Sequence, residues 1–219
     1  MYFRKVEILK KIGKSWETKI AYSEQYSSNE LDNKWDENYR LRLRKFASDK
    51  FSHYIETDDF EENGNEILKG KKINPEKCTD IKLFCSKGQE YNSMLRKNQE
   101  NDFLRNVEEY ISKCPLKKDI IVYRGLDENI LQNNIESANN FKDVDLYDKG
   151  FLFTSLTRGG IANYNCKLRI FLPSGTCAIY TGNVNGEEQR YQEVVVQRGA
   201  KLKIVSKDKD FYNCKLILP

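Results

Sequence analysis

Histidine is nearly absent from this chain: His53 stands alone among 219 residues, and the six cysteines (Cys78, Cys85, Cys114, Cys166, Cys177 and Cys214) include no Cys-x-x-Cys pair. A structural zinc site needs several nitrogen or sulfur ligands at close spacing, so none is expected and no metal is assigned. Charge of one sign is also missing. Lys and Arg number 37 against 33 Asp and Glu, a net charge of +4, and the two signs are interleaved rather than gathered into a basic arm. Nucleic-acid binding is therefore not the default reading, although a local patch is left open. No apolar run approaches the roughly 18 residues of a membrane span. The opening residues, Met1-Tyr2-Phe3-Arg4-Lys5, lack the apolar core of a secretory signal, which points to a cytosolic protein or an already processed one. There is no internal repeat and no low-complexity tract.

What is present argues for a packed core. Hydrophobic residues make up 39% of the chain, with 13 Tyr and 11 Phe, which is not the composition of a disordered polymer. The length suits a single domain spanning residues 1–219. Several cysteines lie inside apolar runs, where a reduced, buried thiol is a plainer reading than a disulfide.

Residues 1–115 read as the mainly helical part. Leu31, Trp35, Tyr39, Leu43 and Phe46 recur at helical spacing. Phe103, Leu104, Val107, Tyr110 and Ile111 form a second stripe, closed by Cys114-Pro115, because the residue before proline is pushed away from helix. Glu61 to Lys77, rich in Asn, Gly, Lys and Glu, reads as a surface loop. Residues 116–219 read as β-rich, with seven short apolar runs: Ile120 to Tyr123, Phe151 to Ser155, Leu168 to Leu172, Cys177 to Tyr180, Glu193 to Gln197, Leu202 to Val205 and Cys214 to Leu218. The expected fold is α+β, with N-terminal helices packed on a mainly antiparallel, two-sheet β core.

Three strand-linked segments carry candidate chemistry. Ile121-Val122-Tyr123-Arg124-Gly125 ends an apolar strand in an arginine able to hold a phosphate bidentately, beside a glycine that lets a ligand approach the backbone. Gly150-Phe151-Leu152-Phe153-Thr154-Ser155 places two hydroxyls at the end of an aromatic strand. Gly186 to Gln192 is a polar loop running straight into Glu193-Val194-Val195-Val196. A carboxylate opening a buried strand is a poor choice for stability alone, since strands disfavour Glu and burial of charge is costly.

The order of these segments, with Leu168-Arg169-Ile170-Phe171-Leu172-Pro173-Ser174-Gly175 between the last two, resembles the Arg–Ser–Glu class of mono-ADP-ribosyltransferases, particularly the clostridial and bacillary toxins that modify actin or Rho-type GTPases. The resemblance runs from about Phe84 to Leu218. It implies an ADP-ribosyltransferase-like fold and an enzyme that uses NAD as substrate, breaks the nicotinamide–ribose bond and passes ADP-ribose to a protein side chain. It implies that Glu193 stabilises the cation developing on the ribose, that Arg124 clamps the diphosphate, and that the Gly125 backbone lies beside the nicotinamide amide. Within Tyr91-Asn92-Ser93-Met94-Leu95-Arg96, it implies that Asn92 and Arg96 also face the cofactor. Ser155 joins the catalytic set and Thr154 the cofactor-binding set.

Two positions depart from the family pattern. The serine that normally bonds the catalytic glutamate is Phe153 here, so Thr154, Ser155 or another hydroxyl must take over, or Glu193 is held less firmly. Two residues before Glu193, where the family carries Glu or Gln, stands Tyr191, readable as a contact to the target or as a core tyrosine. The resemblance further implies a monomeric effector, secreted or delivered into a target cell's cytosol, with a host or target protein as acceptor and room for a translocation component. A catalytically silent binding module and an enzyme that mainly hydrolyses NAD are the competing readings.

Overall fold

The computed structural model describes residues 46–56, 67–70, 75–156, 159–161, 163–182, 192–208 and 210–218. The helical stripe predicted from Leu31 to Leu43 lies outside them; its last member, Phe46, opens the helical residues 46–50.

Three helices follow one another: α1 (Pro75–Ser86), α2 (Gly88–Arg96) and α3 (Asp102–Ser112). In α2 the buried residues are Gly88, Tyr91, Asn92 and Leu95, the spacing that puts one stripe against a core. In α3 they are Leu104, Val107 and Ile111, as the sequence pattern predicts. The Asn101 side chain starts α3 by accepting the Leu104 amide at 2.9 Å, the usual N-cap arrangement. The α1–α3 stripes pack with Phe151, Ile179 and Val195 in one apolar cluster.

Among the described residues, ten strands form the sheet: β1 (His53–Glu56), β2 (Ile67–Gly70), β3 (Ile120–Leu126), β4 (Leu146–Asp148), β5 (Leu152–Ser155), β6 (Cys166–Leu172), β7 (Ala178–Gly182), β8 (Glu193–Val196), β9 (Ala200–Lys207) and β10 (Tyr212–Ile217). Their order is β2-β1-β7-β8-β5-β3-β6-β10-β9-β4. Between the fifth and sixth members, β5 and β3, the register holds one residue pair, Tyr123 opposite Ser155. On either side of that link lie five strands, and inward-facing residues of both halves share a single cluster, with Val194, Val196 and Tyr180 from one half and Val122, Ile170 and Leu202 from the other. The two halves are thus parts of one continuous ten-stranded sheet sharing a single core, where the sequence suggested two sheets. It is mainly antiparallel, with parallel pairing of β1 with β7 and of β6 with β10.

Two expectations need correction. The segment Glu61 to Lys77 is not simply a loop, because Ile67–Gly70 is a strand and α1 begins at Pro75. The mainly helical first part also contains β1, which pairs with β7 far along the chain. A strand completed by a partner so remote in sequence has little local signature, so local composition says little about it. Helix α4 (Glu128–Ala138) and strand β4 are further elements that the sequence pattern did not indicate.

Candidate functional site

β3 is buried along its length except at Gly125. Ile121 and Tyr123 enter one apolar cluster while Val122 and Leu126 enter another, so the strand is fixed on both faces. Arg124 stands just past the single β3–β5 pair. Its Nη1 donates to the Phe153 carbonyl at 3.3 Å, and its Nη2 donates to Asp148 Oδ2 at 3.1 Å. Where the backbone ladder has ended, the guanidinium bonds the neighbouring strand instead.

Asp148 is the centre of this group. Arg96, at the end of α2, grips it bidentately, Nε to Oδ1 at 3.1 Å and Nη2 to Oδ2 at 2.8 Å, and the Gly150 amide donates to Oδ1 at 3.0 Å. Burial opposes ionisation of Asp148, but the Arg96 hydrogen bond, the two arginine charges and the Gly150 amide outweigh it and hold the carboxyl below its ordinary range. Burial lowers the Arg124 pKa from its usual value, and Asp148 works against that effect. Two guanidinium groups around one carboxylate leave one positive charge in excess, an arrangement suited to an anionic ligand.

Gly125 lies against Tyr164. A Cβ at residue 125 would stand 2.2 Å from Tyr164 Cδ2, closer than any real contact, so only glycine allows the ring to lie on this backbone.

On the other side of β5, Ser155 stands directly opposite Glu193 of β8. The β7–β8 register slips at this point: Tyr180 faces Val194 and Gly182 faces Glu193, with Thr181 left between them. Bulges re-aim side chains, and here the Thr181 hydroxyl donates to Glu193 Oε1 at 3.0 Å. Cys85 of α1 supplies a second hydrogen bond to the same carboxyl. Glu193 is half-buried as a residue, yet its carboxyl is largely withdrawn from water, which raises its pKa to about 7 against the partial opposition of those two hydrogen bonds. The preceding Gln192 is fully buried with φ 43°. Tyr180 Oη donates to its side-chain oxygen and the Leu156 amide to its carbonyl, which fixes the chain as it enters β8.

The sequence-predicted residues thus fall into two groups flanking β5, Arg124 with Arg96 and Glu193 with Ser155. Strands lie about 4.8 Å apart, so β3 and β8 are separated by roughly 10 Å across β5. Both ends of the buried Asn92 amide are engaged by the Phe151 backbone, Nδ2 to the carbonyl at 2.9 Å and Oδ1 from the amide at 2.8 Å, so Asn92 anchors the entry to β5. The Thr154 hydroxyl donates to the Val194 carbonyl at 2.8 Å and ties β5 to β8. Tyr191 lies outside the described residues. Asp148, Thr181 and Cys85 were missed: an Asp before Lys149-Gly150 reads as a solvated turn, and nothing local marks a threonine or a helix cysteine as a partner of Glu193.

The Phe153 ring packs with the helices, its centroid 5.3 Å from that of Phe84. A Cβ at residue 88 would stand 2.6 Å from Phe153 Cζ, so Gly88 at the start of α2 makes room for the ring.

Comparison with known proteins agrees with this architecture. The chain is 28% identical to an NAD(+)–arginine ADP-ribosyltransferase, EFV, of Enterococcus faecalis, the match covering 76% of this chain and 37% of the relative; the chain therefore spans little more than a third of that relative's length. Among solved structures, the C3 exoenzyme of Clostridium limosum shares the fold with a TM-score of 0.53 at 19% identity, covering 67% of this chain and 87% of the other. C3stau2 from S. aureus, solved with NAD, does so with a TM-score of 0.52 at 19% identity, covering 68% and 89%. The ADP-ribosyltransferase exoenzyme family model matches residues 58–218. With that match across most of its length, the chain belongs to the ADP-ribosyltransferase exoenzyme family.

Proposed function

We propose that this chain cleaves NAD between nicotinamide and ribose and transfers the ADP-ribose to a side chain of a target protein. The observation that carries the reading is the pair of groups flanking β5: an excess positive charge shared by Arg96, Asp148 and Arg124 on one side, and a desolvated carboxyl, Glu193, on the other. The diphosphate of NAD and its nicotinamide ribose are neighbours in the dinucleotide, and a two-strand separation of roughly 10 Å is the scale on which they would be held together.

In this reading Arg124 and Arg96 bind the diphosphate, and the Gly125 backbone receives the nicotinamide amide. The glycosidic C–N bond breaks with its electron pair leaving on nicotinamide, and positive charge develops on the ribose carbon. Glu193, ionised and oriented by hydrogen bonds, stabilises that cation. The acceptor side chain supplies the electron pair of the new bond and loses its proton to a base. Ser155, opposite Glu193, supports the same end of the site. The toxin relatives further support a secreted or delivered effector; action on a protein in the target cell's cytosol, a monomeric state and a separate translocation component belong to the same proposal.

Purified protein incubated with labelled NAD and a cell lysate tests the proposal. A labelled protein band that disappears in Glu193→Ala is the expected result, and mapping the modified side chain identifies the acceptor chemistry. Free ADP-ribose without a band would make the chain an NAD glycohydrolase, and nicotinamide release no faster than that of Glu193→Ala would make it a silent binding module.

A further inference from the structure

We propose that Thr181, assisted by Cys85, is the positioning residue for the Glu193 carboxylate, taking the place of the hydroxyl that this chain lacks at Phe153; the proposal rests on the role given to Glu193 above. On β5, positions 153 and 154 are engaged elsewhere. Position 153 carries a ring stacked among the helices, and the Thr154 hydroxyl is held by the Val194 carbonyl. The hydrogen bonds to the Glu193 carboxyl come instead from β7 and α1, from Thr181 and Cys85.

Geometry makes Thr181 more than a neighbour. It is the residue left over where the β7–β8 register slips, and without that slip a period-two strand would not bring its side chain to this point. The same hydroxyl lies 3.3 Å from the Glu193 carbonyl, so Thr181 spans backbone and carboxyl of one residue. Gln192, held in a left-handed conformation by Tyr180 and Leu156, sets Glu193 from the other direction. Such a conformation is uncommon for a residue other than glycine and persists where its surroundings fix it. The carboxyl is thereby pinned on a rigid strand end, as a group stabilising a transient cation must be.

The test compares Thr181→Val, Thr181→Ser and Cys85→Ala in the full chain with two readouts: nicotinamide release from NAD across pH, and the titration of Glu193 followed by carboxyl NMR, which needs no turnover. Losing a donor that favours the ionised form raises the midpoint, so Thr181→Val is expected to move it up by about half a pH unit or more. It is also expected to lower kcat about tenfold or more, with KM for NAD changed less than about twofold. Thr181→Ser keeps the hydroxyl and is expected to restore both. Cys85→Ala is expected to move the midpoint in the same direction by less. A Thr181→Val protein that folds with an unchanged midpoint and kcat overturns the proposal. Should that variant not fold, an unchanged midpoint in Cys85→Ala overturns it. Failure of the underlying reading looks different: a Glu193→Gln protein with wild-type nicotinamide release removes the role of Glu193 itself, whatever Thr181 does to the titration.

Discussion

Replacing Glu193 by Gln should make the protein more stable and less active at once. The substitution keeps an oxygen that Thr181 can bond but removes the charge. In the folded chain this carboxyl titrates at about 7 instead of its ordinary 4.5, because burial disfavours the ionised form. The unfolded chain gives up the proton first, so between those two values the folded state binds more protons than the unfolded state, and stability falls as pH rises. At roughly 1.4 kcal/mol per pH unit the interval sets an upper limit of about 3 kcal/mol above neutrality. Water reaches part of this half-buried residue, so about 1–2 kcal/mol is the expected size. Urea unfolding at pH 8 should therefore show Glu193→Gln more stable than wild type by about that amount, and near pH 4, where both states are protonated, the difference should vanish. Nicotinamide release should fall about a hundredfold or more in the variant, while wild-type activity should rise with pH through about 7 as the carboxyl ionises. A variant less stable than wild type at pH 8, or a difference that does not shrink on acidification, would refute the argument that ionisation of this group is disfavoured by the fold.

Three further outcomes follow from the contacts. Asp148→Asn leaves two guanidinium groups without their shared carboxylate and should lower unfolding stability by about 3 kcal/mol or more, measured in urea at pH 7; because the Asp148 pKa is depressed, the wild-type advantage should be full above about pH 4 and be lost as pH falls further. Asn92→Ala removes both bonds to the Phe151 backbone and should cost about 2–4 kcal/mol by the same assay. Gly125→Ala drives a methyl into the Tyr164 ring, which should raise KM for NAD in the nicotinamide-release assay and cost about 1–3 kcal/mol.

The β-rich half was legible in sequence because its strands are buried on a regular pattern. β3 and β6 are mostly apolar runs, broken by Arg124 in one and by Lys167 and Arg169 in the other, and both appear where the pattern put them. α3 was equally plain, with an apolar stripe and a Cys114-Pro115 stop. The elements that escaped have weak local signals. α4 buries only Asn134 and Ala138 completely, so its periodicity is diluted by polar residues, and β4 has three residues. β1 and β2 complete an edge whose pairing partner, β7, lies more than a hundred residues away.

At the site, the residues legible in sequence are those whose type is odd for their local setting, Glu193 opening a buried strand and Arg124 inside an apolar one. The residues that hold them are ordinary in sequence and become distinctive only by placement. Asp148 is a turn aspartate until Arg96 and Arg124 close on it from a helix and a strand; without it, two like charges would face each other in a buried setting. The phenylalanine at 153 is the sharper case. Read alone, it removes a hydroxyl from the neighbourhood of Glu193 and argues for a weakened enzyme. In the fold, the ring is accommodated by Gly88 and Phe84, while the register slip at Thr181 delivers a hydroxyl to the carboxyl from the opposite flank of β8. A strand pair can supply a missing donor from either neighbour, because register and bulge, not the identity of one side chain, decide which group reaches the carboxylate.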